Sequence, residues 1–116
     1  MNASIACQLG VFSPEERIRY AALSAQIDAA VVKIVEMPNG FVLHLPGDDT
    51  MLALVSEWIA LERRCCPFFE FTLSLGGSNS SIRLALTGSP EVKEFLRAEL
   101  RSRVVPPSTL LRRRAY

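Results

Sequence analysis

Within the stretch Glu62-Arg63-Arg64-Cys65-Cys66-Pro67-Phe68-Phe69-Glu70-Phe71, the spacing of apolar residues changes from that of a helix to that of a strand. Upstream, residues 51–64 contain neither glycine nor proline, and apolar residues recur every three or four positions, which predicts an amphipathic helix. Pro67 has no backbone N–H and disfavours helical backbone at the residue before it, so the helix should end at or just before Cys66. Two adjacent thiols are therefore expected at a helix C-terminus.

The residues after Pro67 have the period of a half-buried strand. Large apolar residues alternate with polar ones over 68–75, a polar turn occupies 76–80, and a returning strand follows through Ile82, Leu84 and Leu86. We therefore predict a hairpin. The core face of its first strand should carry four side chains: Phe69, Phe71, Leu73 and Leu75.

The N-terminal half begins with a helix-start signal, Ser13-Pro14-Glu15-Glu16, in which Ser13 is the N-cap and Glu16 closes a capping box. The helix is predicted to run to about Ile27. A strand over 29–37, a tight turn at Pro38-Asn39-Gly40 with positive φ, and a strand over 41–45 should follow. The helix should bury a stripe rich in small residues, namely Ile18, Ala21, Ala22 and Ala25, with Leu23 and Ile27 at its margin.

The central helix has candidate N-caps at 48–50, and Ser89-Pro90 starts a third helix that should run to about Val104. Residues 31–61 and 68–100 thus share one order of strand, turn, strand and helix. The predicted fold class is α+β, in the order α-β-β-α-β-β-α. Two hairpin and helix units would form a four-stranded antiparallel sheet with the helices packed on one face.

We predict one domain over 1–105 and a flexible basic tail over 106–116, which contains Arg112, Arg113 and Arg114. An unprotected outer strand favours pairing with a second chain, so a homodimer is expected. The net charge of +1 and the absence of a recognised motif argue against a nucleic-acid partner. No apolar run approaches the roughly 20 residues that span a bilayer. The N-terminal residues are a poor secretion signal, so we expect no membrane association and a cytoplasmic location.

The chain has three cysteines, an odd number that favours free thiols, metal ligands or redox-active groups over structural disulfides. In its segment 62–71, and again at Leu86-Thr87-Gly88 before Val92 and Phe95, the chain resembles a group of small uncharacterised bacterial proteins with an E-R-x-C-C-P-F-x-x-F motif. The resemblance covers roughly 31–100. It implies a link with heavy-metal or thiol chemistry and no catalytic mechanism, and it does not extend to Cys7.

The adjacent thiols predict a soft-metal or metalloid site as a first hypothesis, because thiolates prefer soft ions such as Cu(I), Hg(II) and As(III) and also bind Zn(II). Cys65 and Cys66 would be the central ligands. Cys7 would complete a three-thiolate site if the N-terminal segment folds over the end of the central helix. Glu62 or His44 would add a harder ligand.

Two other hypotheses remain open from the sequence. In a thiol redox sensor, Cys65 or Cys66 attacks as a thiolate and the other resolves it. In a non-catalytic interaction or regulatory module, the cysteines fill the core and Glu62 is a solvated helix-end residue. No catalytic constellation is recognised, so a non-enzyme is favoured, and no cofactor other than a soft metal ion is suggested.

Overall fold

The computed structural model describes residues 6–103, which form three helices and a four-stranded antiparallel sheet in the order α-β-β-α-β-β-α. This is the predicted α+β fold. The predicted basic tail at 106–116 lies outside the described residues. None of the helices within 6–103 is long and apolar enough to cross a membrane. The helices are α1 (Pro14–Ala30), α2 (Asp49–Cys65) and α3 (Pro90–Arg103), and the strands are β1 (Lys33–Met37), β2 (Gly40–Leu45), β3 (Glu70–Ser74) and β4 (Ile82–Thr87).

The strand order in the sheet is β1-β2-β4-β3, so the two hairpins meet through their second strands. Leu43 of β2 lies opposite Leu84 of β4, and both side chains are buried beneath the helices. The alternate residues Val42, His44 and Arg83 line the other face of the sheet, which no described helix covers. The helices therefore lie on one face, as predicted.

Each helix begins where a side chain satisfies the backbone N–H groups of its first turn. The Ser13 hydroxyl accepts from the Glu16 N–H at 3.1 Å, and the Glu16 carboxylate accepts from the Ser13 N–H at 2.9 Å, which is the predicted capping box. Asp48 accepts from the Met51 N–H at 2.7 Å and is the N-cap of α2. These local signals are confirmed because they depend only on residues close in sequence.

The predicted buried face of α1 is wrong. Ile18 is 73% exposed and the three alanines of the predicted stripe are exposed as well. Of the predicted residues, only Leu23 and Ile27 at the margin are buried, and they are joined by Tyr20 and Ser24. Burying Tyr20, Leu23 and Ile27 removes more apolar surface from water than burying alanines does, and that difference sets the rotation of the helix.

The predicted reason for glycine at the first hairpin is also wrong. None of the described glycines has positive φ, and Asn79 is the single described non-glycine residue that does. A Cβ on Gly40 would lie 2.0 Å from the backbone oxygen of Leu86. Glycine is required at this position because β2 and β4 approach each other closely there.

Two predicted strands are too long. The helix α1 continues to Ala30, so β1 begins at Lys33 and not at Ala29. At the other hairpin β3 ends at Ser74, and Leu75, which was predicted to face the core, is half exposed. Both errors lie at element ends, where the apolar pattern continues beyond the hydrogen-bonded ladder.

Candidate metal centre

The C-terminus of α2 brings its two thiols together. Cys65 is the last helical residue, and Cys66 is the C-cap, with φ −127° and ψ 68°. Its backbone N–H still donates to the Glu62 carbonyl at 2.7 Å. Because the backbone leaves the helix between the two cysteines, their side chains converge, and the two Sγ atoms lie 3.5 Å apart. The predicted helix end is confirmed.

The N-terminal segment supplies the third thiol. The Gln8 N–H donates to the carbonyl of Cys65 at 2.8 Å, which ties this segment to the end of α2. The Sγ atom of Cys7 lies 2.7 Å from that of Cys66. The predicted folding of the N-terminal segment over the helix end is therefore present.

Arg64 holds the same segment from the outer side. Its guanidinium donates to the Val11 carbonyl at 3.1 Å and to the Glu16 carboxylate at 2.9 and 3.2 Å, and it lies over the ring of Phe12. The hydrogen bond from Arg64 is the main reason that the pKa of Glu16 is lowered to about 2. Arg64 thus links the end of α2 to the residues that follow Cys7 and to the first turn of α1.

Glu62 lies one turn before Cys66 and is 2% exposed. The Tyr20 hydroxyl, from α1, donates to Glu62 Oε1 at 2.5 Å, and Cys65 Sγ lies 3.9 Å from the same oxygen. The interpretation of Glu62 as a solvated residue at the helix end is therefore wrong. Its carboxyl is buried because α1 packs across the last turns of α2 and brings a hydroxyl donor to it.

The structure places four of the predicted site residues in one cluster, which we call the thiol cluster: Cys7, Glu62, Cys65 and Cys66. One ligand atom from each lies within 4.8 Å of the others. Cys65 and Cys66 are fully buried, Glu62 is buried and Cys7 is half-buried. Three sulfurs and one carboxylate thus converge in an interior that excludes most water.

Hydrogen bonding divides the three thiols into two kinds. Hydrogen bonds from Cys66 and then from Cys7 lower the pKa of Cys65, so Cys65 is the thiol of the cluster that ionises most readily. The hydrogen bonds to Cys65 raise the pKa values of Cys7 and Cys66. Burial and the negative charge of Glu62 raise these two pKa values further. The three thiols of the cluster are therefore not equivalent: one ionises readily, and the other two hold their protons more tightly.

His44 is not part of the thiol cluster. It lies in β2 on the sheet face that the helices do not cover, opposite Lys33 and Arg83 in the two neighbouring strands. Strand alternation puts its neighbours Leu43 and Leu45 on the core side. The sequence analysis predicted that either His44 or Glu62 adds a harder ligand. Of these two residues, only Glu62 lies beside the thiols.

A small cavity adjoins the thiol cluster, with a volume of about 30 Å³. Cys7 and Glu62 form part of its wall, and most of the remainder is apolar, including Trp58, Phe95 and Leu96. The acidic side chains of Asp28 on α1 and Glu99 on α3 also line it. Tyr20, Asp28 and Glu99 were missed at the sequence level, because only the packing of three helices brings them to this place.

Comparison of the chain with protein-family models, with curated proteins and with solved structures finds no match. The function must therefore be inferred from the geometry and chemistry of the thiol cluster.

Proposed function

We propose that this protein binds one soft metal or metalloid ion through the thiolates of Cys7, Cys65 and Cys66. The observation that carries the proposal is the convergence of three sulfurs and a buried carboxylate within 4.8 Å. Soft ions select thiolate ligands, and a buried site strengthens this preference because water competes less for the ion. Glu62 would act as a fourth ligand or as a hydrogen-bond partner of the bound thiolates.

The distances between the sulfurs support the proposal. Ligands about 2.3 Å from one ion lie roughly 3.8 to 4.0 Å from each other in tetrahedral or trigonal geometry. Cys65 and Cys66, at 3.5 Å, are close to this separation. Cys7 and Cys66, at 2.7 Å, would have to move apart by about 1 Å. Cys7 lies outside the helices and strands and is half-buried, so it is the sulfur best able to move.

The surroundings of the cluster also support a binding role over simple core filling. A cysteine that only fills space needs no carboxylate beside it, and burying Glu62 is costly without compensating partners. The structure uses Tyr20 and a tethered N-terminal segment to complete this arrangement. The resemblance to the E-R-x-C-C-P-F-x-x-F group carries the same expectation of metal or thiol chemistry and stays a prediction.

The test is a titration of the reduced protein with Hg(II), As(III), Cu(I) and Zn(II), followed by native mass spectrometry. We expect one ion per chain for at least one of these metals. Replacing Cys7, Cys65 or Cys66 singly by serine should weaken binding by at least about tenfold, since even groups outside the ligand shell contribute 10- to 100-fold. Retention of full affinity in all three variants would contradict the proposal.

The matched control is Ser24→Ala. Ser24 is also a buried polar residue, and its hydroxyl accepts from the Trp58 indole N–H at 3.1 Å, but it belongs to α1 and not to the thiol cluster. This variant tests whether loss of any buried polar contact impairs binding. We expect it to retain the ion with unchanged stoichiometry.

One observation favours a second function. The 2.7 Å contact between Cys7 and Cys66 suits a thiol redox sensor in which these two residues, and not the adjacent pair, form the bond. A hydroperoxide would take two electrons and two protons from the two thiols, giving one disulfide, an alcohol and water. Peptide mapping after peroxide treatment distinguishes a Cys7–Cys66 bond from a Cys65–Cys66 bond.

A further inference from the structure

The cavity beside the thiol cluster restricts what the bound ion can carry. Cys7 and Glu62 belong both to the cluster and to the cavity wall, so an ion held by the thiols would lie at the edge of the cavity. Most of the remaining wall is formed by apolar side chains, such as Trp58, Phe95 and Leu96. An apolar cavity does not stabilise a bare ion. An alkyl group bonded to the ion would be stabilised there, because the cavity removes it from water.

The size of the cavity selects the group. A cavity holds one water once it exceeds about 10 to 15 Å³, and a cavity of about 150 Å³ binds benzene. The cavity in this protein, about 30 Å³, has room for a methyl group and none for an aromatic ring. A small alkyl group would fill it without displacing the core.

The charge of the wall selects the sign of the ligand. Three acidic side chains line the cavity, Asp28, Glu62 and Glu99, and they come from three different helices. Acidic side chains that line a cavity favour cations over anions there. A cationic organometal is therefore preferred over a neutral metalloid hydroxide.

We propose that the ligand of the thiol cluster is a soft cation bearing one small alkyl group, of which the methylmercury cation is the simplest example. The inference rests on the proposed function, because the cluster must first bind a soft ion. Binding forms one mercury–sulfur bond. With methylmercury chloride the thiol proton and chloride are released, and the mercury–carbon bond is kept.

The experiment compares methylmercury chloride, phenylmercury acetate and inorganic Hg(II), each in the presence of excess low-molecular-weight thiol, with native mass spectrometry as the first readout. We expect the protein to retain methylmercury at one per chain and phenylmercury at least tenfold less well. Retention of Hg(II) with equal retention of methyl and phenyl forms overturns the inference and leaves the proposed function standing. Failure to retain any of the three overturns the inference, and failure to retain As(III), Cu(I) and Zn(II) as well overturns the proposed function.

A second readout reports where the alkyl group lies. In proton NMR spectra, the bound methyl group should move upfield and show Overhauser contacts to Trp58 and Phe95, whose rings line the cavity. A methyl resonance identical to that of a small-thiol adduct, with no such contacts, overturns the inference. This measurement uses the unaltered protein and does not depend on a variant that folds.

A variant pair tests the size limit directly. Leu96→Ala enlarges the cavity and should raise the retention of phenylmercury relative to methylmercury severalfold. Leu84→Ala removes the same atoms from a core residue of β4 that does not line the cavity, and it should leave the ratio unchanged. An equal change of ratio in both variants contradicts the inference.

Discussion

Helices α2 and α3 occupy corresponding places in the two hairpin and helix units, yet only α2 ends in a thiol cluster. Both carry a valine, an aromatic residue three positions later and a glutamate four positions after that: Val55, Trp58 and Glu62 in α2, and Val92, Phe95 and Glu99 in α3. Both valines are buried. The two glutamates line the same cavity, but Glu62 is buried while Glu99 is only partly so.

The difference lies in what packs on each helix. Helix α2 is covered by α1 and by the N-terminal segment. Tyr20 of α1 contacts Glu62, and Cys7 of the N-terminal segment lies beside the adjacent thiols. Helix α3 is joined to the edge strand β1 by ion pairs, in which Lys93 and Arg97 contact Glu36 at 2.9 and 3.0 Å. The same sequence pattern is thus part of a buried thiol site in α2 and lies beside partly exposed ion pairs in α3. The elements packed on each helix make the difference.

The comparison predicts its largest effect at the two glutamates. Glu62→Ala should lower the free energy of unfolding by about 3 kcal/mol, because the buried Tyr20 hydroxyl loses its acceptor and a cavity opens. Glu99→Ala should cost less than half as much. Urea denaturation of both variants measures the difference, and equal losses would show that the two helix ends are equivalent.

A smaller effect is expected when the aromatic residue of α2 is made like that of α3. Trp58→Phe removes the indole N–H that donates to the Ser24 hydroxyl and should cost about 1 to 2 kcal/mol. A double-mutant cycle with Ser24→Ala isolates the hydrogen bond from the lost packing area. A coupling energy near zero would show that this hydrogen bond contributes nothing to the packing of α1 on α2.

Arg64 and Arg101 lie at equivalent places near the ends of α2 and α3. Arg64→Ala should speed alkylation of Cys7 severalfold, because the guanidinium no longer holds Val11 and Glu16, while global stability changes little. Arg101, which is exposed, supplies the control Arg101→Ala. Equal alkylation rates for the two variants would show that Arg64 does not position the segment.

The smallest effect concerns pH. Hydrogen bonds from Lys93, and then from Arg97, lower the pKa of Glu36 below its ordinary value of 4.5. The stabilisation is therefore complete above pH 4.5 and is lost as the pH falls through the lower, folded-state value. Glu36→Gln should cost no more than about 1 kcal/mol at pH 7, since the pairs are partly exposed. The free energies of unfolding of the unaltered protein and of Glu36→Gln should become equal in acid. A difference that persists there would contradict this explanation.

Sequence reasoning succeeded where the determinants are local. The capping box of Ser13, the N-cap Asp48 and the helix end before Pro67 each depend on residues within a few positions, and these features fixed the element order. It failed on the buried face of α1, because an alanine stripe and a face with larger side chains are both compatible with helical period. Only the partner helix decides between them.

The thiol cluster was predicted in part for the same reason. Cys65 and Cys66 are neighbours in sequence, so the pair was visible, and Cys7 was named as a conditional third ligand. The burial of Glu62 depends on Tyr20, which is 42 positions away, and no local signal indicates that contact. The cavity needs three helices to exist, so it could not be read from any one segment.

If the thiol cluster binds an ion as proposed, the tethering of Cys7 has a consequence for release of that ion. Two sulfurs come from the end of a helix, whereas the third is delivered by a segment that is attached through Gln8 and Arg64. The local concentration of the third sulfur is thus set by an attachment equilibrium. Exchange with an acceptor thiol would begin when this segment detaches, so the residence time of the ion would follow the opening rate of the segment and not the strength of the metal–sulfur bonds alone.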